Sequence, residues 1–255
     1  MKKSCCALLL MSSLSVTGIV LAEEAVKSEE KSPWTSSVEL GFIRTTGNTE
    51  TQTLAGKADV VYEVEKWRHT GHAEGYGAEA VNQDTGVNEV SAERYELLGK
   101  SDYKFTEHDY AFGLIRLRKD RFSGFEYDHL VSAGYGRKAI LRDTMELDLE
   151  IGPGARFFKI DPTVDVPNPE SESEAVLRLA AKYWWQITAS SKFTQLLSTD
   201  IGEEITSSES ITGIQANINK TLALKFTYTV RHKTKVPAAN EKTDTETAMT
   251  LVYTF

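Results

Sequence analysis

Glu146, Asp148 and Glu150 recur at every second position of one run, and Arg178 and Lys182 stand four apart in a later one. Lys225, Arg231 and Glu246 follow nearer the end. Even spacings put such residues on one face of a strand. Charged faces of this kind do one of two things. Opposite charges on neighbouring strands pair across the ladder and brace a narrow interior, or the face forms a selectivity surface for ions and small polar solutes. The mixed signs argue against a strongly anion-selective pore.

Nucleophilic and metal chemistry have little to work with. Cys5 and Cys6 are the only cysteines and stand at the extreme N-terminus. His69 and His72 lie three apart, so a strand would point them to opposite faces, a poor metal pair. His108 sits at a tight-turn signal. His129-Leu-Val-Ser132 lacks the His and Ser two residues apart that the outer-membrane phospholipase carries. We assign no catalytic, cofactor-binding or metal residues and read the chain as a non-enzyme without a cofactor; a lipid-modifying hydrolase is the weakest alternative. Asp161, Asp165, Glu170, Glu172 and Glu174 form an acidic stretch, read as a solvated loop able to bridge divalent cations to lipopolysaccharide.

The elements that must position these residues are strands. Leu147, Leu149 and Ile151 alternate with the acids of 145–156. Leu177, Leu179, Tyr183 and Trp185 alternate with Arg178 and Lys182. Leu222 to Val230 alternates with Lys225 and Arg231. Strict period-two patterning over ten or more residues predicts strands long enough to cross a bilayer. Tyr110 to Arg121 fits either parity, and 211–219 has a strong polar face but a thin oily one. Twelve strands are expected, with short turns at one end and longer loops at the other, the longest at 161–169 with three prolines. Trp34, Trp67, Phe105, Tyr110, Phe193, Tyr253 and Phe255 would form an aromatic girdle on the short-turn side. Tyr76, Phe122, Phe125, Tyr127, Phe157 and Phe158 would form one on the long-loop side. The fold class is therefore an all-β transmembrane antiparallel up-and-down barrel; a soluble sandwich or lipocalin-like barrel is the rival.

Composition agrees with export to the envelope. Residues 1–22 have the basic start, apolar run and Val-Leu-Ala ending of a secretory signal peptide. Residues 23–33 read as a flexible periplasmic lead-in, and 34–255 as the barrel. Removing the first 22 residues, with Lys2 and Lys3, takes the net charge from −8 to −10, unsuited to nucleic acid. A mean hydropathy of −0.33 does not exclude a membrane barrel, because only alternate residues meet lipid.

The chain resembles the salt-induced outer-membrane protein family (YdiY-like). Val38-Glu-Leu-Gly41-Phe with Thr45-Thr-Gly47-Asn48-Thr49 carries the resemblance, together with Gly71, Gly75, Gly77, Gly134-Tyr-Gly136, Gly152-Pro-Gly154 and the aromatic end. Gly47-Asn48 also reads as a hairpin tip, since both residues tolerate positive φ. The resemblance implies an outer-membrane barrel of undefined activity, linked by name to salt stress. The closing strand, ending on Tyr253 and Phe255, is similar to those read by the barrel-assembly machinery. Other expected partners are outer-membrane lipids and lipopolysaccharide. The expected function is a narrow passive channel for ions or small polar solutes, with an occluded barrel working through its external loops as the alternative.

Overall fold

The computed structural model describes residues 32–46, 51–81, 88–120, 123–162, 167–237 and 240–255. The Gly47-Asn48 tip, the cysteines and residues 1–31 lie outside these ranges. Twelve strands follow one another: β1 Trp34–Thr46, β2 Thr51–Glu63, β3 Trp67–Val81, β4 Asn88–Lys104, β5 Asp109–Asp120, β6 Phe125–Arg142, β7 Met145–Ile160, β8 Ser171–Thr188, β9 Ser191–Gly202, β10 Thr206–Asn217, β11 Leu222–Lys233 and β12 Thr243–Thr254. Each pairs antiparallel with its sequence neighbours, and β12 closes on β1, from Ser37 opposite Thr254 to Thr46 opposite Thr245. Closure matters because it leaves no strand edge unpaired, the condition for a sheet in lipid. Strands of 12 to 18 residues exceed the ~9–11 that a tilted crossing needs.

Short turns gather at one end (residues 64–66, 105–108, 143–144, 189–190 and 218–221), and the other end has 161–170 and 234–242. In outer-membrane barrels the short turns face the periplasm. The outer wall is apolar along most of its circumference: Leu40, Leu97, Ile115, Ile151, Leu197, Ile214 and Met249 are all exposed. At the short-turn end Trp34, Trp67, Phe105, Tyr253 and Phe255 stand exposed on this wall, with Trp67 against Tyr103 and Tyr253 against Phe255. On β9 and β10 it carries instead a hydrogen-bonded ladder of Gln195, Thr199, Ser208, Ser210 and Thr212, which accounts for the thin oily face in that run.

Three of the expected girdle aromatics turn inward. Tyr110 is 1% exposed, Phe125 2% and Phe158 3%. The ring of Tyr110 lies against the bare backbone of Gly136, where any Cβ would collide with it. Gly136 thus makes room for a large ring inside the barrel, and Tyr110 settles the parity of β5. Phe112, Leu114, Arg116 and Arg118 follow Tyr110 inward, while Ile115 and Leu117 face out. Tyr110, Phe112, Leu114, Leu130 and Val176 form an apolar cluster inside the lumen, with Leu98 beside it.

Candidate functional site

The lumen is lined by the charged faces of the strands, and its two halves differ. In the long-loop half the charges interlock. Arg118 on β5 donates to Glu96 on β4 at 2.5 Å and reaches Glu209 on β10 at 3.2 Å. Since β5 and β10 lie nearly opposite in a ring of twelve, that second contact crosses the lumen. Lys233 on β11 bonds Asp128 on β6 at 2.9 Å, a second crossing, and Asp128 also meets Arg156. Arg156, 1% exposed, continues to Glu174 at 3.1 Å and donates to the carbonyl of Ile205 at 2.9 Å. Glu209 and Glu246 share Arg231; Glu246 and Glu74 share Arg94. Asp200 lies between Arg116 at 3.0 Å and Arg178 at 2.7 Å.

The short-turn half is looser. On the β3–β7 side Arg68 bonds Asp102 at 2.7 Å and Asp148 at 3.5 Å. Lys100 bonds Glu150, which also accepts from the Tyr110 hydroxyl at 2.8 Å, and Lys138 bonds Glu146. On the opposite side Lys225 bonds Glu39 at 2.6 Å, and Thr250 donates to the same carboxylate. Asp59, its side chain 38% exposed, bonds His72 at 2.8 Å. Lys182 is exposed and Lys192 half-buried.

Glu146, Asp148, Glu150, Arg178, Lys182, Lys225, Arg231 and Glu246 all sit on inward-facing positions, but their partners differ from the sequence expectation. The acids of β7 do not pair with Arg178 and Lys182 on β8. Register explains half of this: Arg178 lies opposite Gly152 on β7 and opposite Asp200 on β9, so its partner is on the other side. Lys182 lies opposite Asp148, whose contact goes to Arg68 on β3 instead. Arg231 does meet Glu246, at 3.2 Å, whereas Lys225 takes Glu39. Glu172 and Glu174 lie within β8 rather than in a loop, and Glu174 is bound by Arg156. Sequence reasoning missed Glu39, Glu74, Arg94, Arg116, Arg118, Asp128, Asp200 and Glu209. Their one signal was period-two spacing, as in Arg116 and Arg118; the cross-lumen partners have no sequence signature.

A closed antiparallel barrel of twelve long strands, apolar outside and charged within, defines the class: a bacterial outer-membrane β-barrel. The chain belongs to DUF481, a family of proteins of unknown function whose model matches residues 38–255. It is similar to the uncharacterized protein YdiY of Escherichia coli (strain K12), with 29% identity over 225 residues, 88% of this chain and 84% of that one. Among solved structures it is similar in fold to the NanC porin (TM-score 0.56, 7% identity, 85% of this chain and 98% of that one). An outer membrane channel from Pseudomonas putida F1 matches with a TM-score of 0.53 at 10% identity, covering 88% of this chain and 96% of the other. The translocator domain of the autotransporter NalP from Neisseria meningitidis also gives 0.53, at 12% identity and with 88% and 89% covered.

Proposed function

We propose that the protein is a narrow outer-membrane conduit for small polar solutes, held closed at rest by the ionic lattice in its long-loop half. The observation that carries this is that the long-loop half holds the contacts between the most widely separated strands, Arg118–Glu209 and Lys233–Asp128. Among the described residues the bore is crossed by side chains, and long side chains can swing aside. In the short-turn half below, Lys182 stays exposed and the Asp59 side chain is 38% exposed, beside the buried cluster around Tyr110 and Phe112. Likeness in fold to a porin and an outer membrane channel is consistent with a conduit, although fold alone does not dictate function. In this reading Tyr253 and Phe255 present the closing strand to the assembly machinery and residues 1–22 direct export.

Planar-bilayer recording tests it. Wild-type protein should give rare, small steps. Arg118→Ser combined with Glu209→Ser removes both ends of one strut, so that neither is left as a lone partner of the other. It should raise the frequency or size of steps several-fold. If neither protein conducts, the barrel is permanently occluded. That second reading is favoured by the near-complete burial of Arg156, Asp200 and Glu246.

A further inference from the structure

Among the described residues, the cations facing the lumen have carboxylate partners with two exceptions. Lys57, Arg68, Arg94, Lys100, Lys104, Arg116, Arg118, Lys138, Arg156, Arg178, Lys225, Arg231 and Lys233 each reach one. Lys182 and Lys192 reach none. The ammonium of Lys192 instead lies 4.8 Å from the centre of the Trp184 ring.

The two lysines belong to one patch of wall. Register sets Lys182 opposite Leu196, Trp184 opposite Thr194 and Gln186 opposite Lys192, so the Trp184–Thr194 pair lies between them. The inward positions of β8 and β9 in this half are Ala180, Lys182, Trp184, Gln186, Lys192, Thr194 and Leu196, without an acid. On β10 the next inward position is Gly213; a Cβ there would stand 2.5 Å from the Thr194 hydroxyl and 3.7 Å from Cε of Lys225. Bare backbone therefore lets the Thr194 hydroxyl lie close against β10. The acids on the other flank are engaged: Glu146 by Lys138, Asp148 by Arg68, Glu150 by Lys100 and Tyr110. Asp59, facing from β2, bonds His72 at 2.8 Å.

We propose that Lys182 and Lys192, over the Trp184–Thr194 floor, form a luminal binding site for a small solute bearing two negative oxygen groups, a dicarboxylate or a phosphate, reached from the short-turn end. Two ammonium groups without a carboxylate in ion-pair contact, Lys182 opposite Asp148 in register, supply the charge and hydrogen bonds. The indole face supplies an apolar wall, the usual mix for a small-molecule site. The lattice above closes the far side, so the solute enters from the periplasm. The site deepens the conduit reading but does not need the lattice to open.

Calorimetric titration of the full chain in detergent, with succinate and separately with inorganic phosphate, tests it at low ionic strength. Wild-type protein should bind at least one of them, and the affinity should fall at least tenfold in Lys182→Gln with Lys192→Gln. Lys119→Gln, on the outward face near the long-loop end, should leave binding unchanged. Gel migration with and without heating reports that each variant is a closed barrel. Binding of succinate alone or phosphate alone identifies the group preferred. No binding by wild-type protein, or equal binding by the double variant, overturns the site. Bilayer conductance is read separately, so loss of the conduit and loss of the site are distinguishable.

Discussion

Arg178 and Lys182 stand four residues apart on one strand and turn into one lumen, yet Arg178 is buried against Asp200 while Lys182 is exposed. The contrast extends to the two halves of the bore. The long-loop half is tied mainly by arginines: Arg94, Arg116, Arg118, Arg156, Arg178 and Arg231, several of them meeting more than one carboxylate. The short-turn half relies more on lysines: Lys100, Lys138, Lys182, Lys192 and Lys225. A guanidinium is a planar fork that can hold two acceptors and tolerates desolvation, whereas an ammonium is strongly hydrated and compact. Arginine therefore suits a strut, and lysine suits a wall that stays wet. The balance of cations thus differs between the two halves, with Lys233 as a lysine strut in the first and Arg68 as an arginine tie in the second.

The largest effect should come from breaking the lattice at its most buried member. Arg156→Leu strips Glu174 and Asp128 of a shared cation in a site that water barely reaches. Breaking a buried pair by removing one partner costs about 3–5 kcal/mol. The temperature at which the compact band is lost on gels should drop clearly below that of wild type. A change under about 1 kcal/mol by denaturant unfolding, the worth of an exposed pair, would mean that the long-loop half is not held by these contacts.

A sharper test uses the two cations of β8. Arg178→Met leaves Asp200 with Arg116 alone and should cost about 3 kcal/mol. Lys182→Met removes an exposed group without a carboxylate partner and should stay within about 0.5 kcal/mol of wild type. Denaturant midpoints of the two variants, measured side by side, give the ratio. Equal losses would erase the distinction between strut and wet wall.

How much of this was legible in the sequence follows from what alternation encodes. Period two states which residues share a face, so the strands around Leu147, Leu177 and Leu224 and their charged faces can be read directly. It does not state what lies across a closed barrel. Arg118 and Glu209 are 91 residues apart and meet only because the sheet closes. Alternation also fails where a large inward ring is matched by a glycine on the next strand. Tyr110 looks like a girdle residue until Gly136 is placed beside it. Phe125 and Phe158 mislead for another reason: they pack edge to face on each other and bury against Ile205. The exposed girdle members Trp34, Trp67 and Phe255 were readable because nothing inside competes for them.

The smallest effect belongs to a pair that resembles the lattice in chemistry but lies outside it. Glu204 and Lys235 meet at 2.5 Å in neighbouring connections of the long-loop end, with side chains 55% and 66% exposed. The hydrogen bond from Lys235 holds the Glu204 carboxyl below the usual carboxylate range, and the same bond raises Lys235. The signs fix the window. What the pair contributes through Glu204 is present above the ordinary carboxylate pKa and is lost as pH falls through the lowered value. What it contributes through Lys235 is lost as pH rises through the raised one. Water screens both groups, so Glu204→Gln should not measurably move the unfolding midpoint at neutral pH, nor alter its pH dependence on the acid side. If that variant lost as much stability as Arg178→Met, closeness of charge alone would be at work, and burial would no longer explain the difference between the lattice and the pairs outside it.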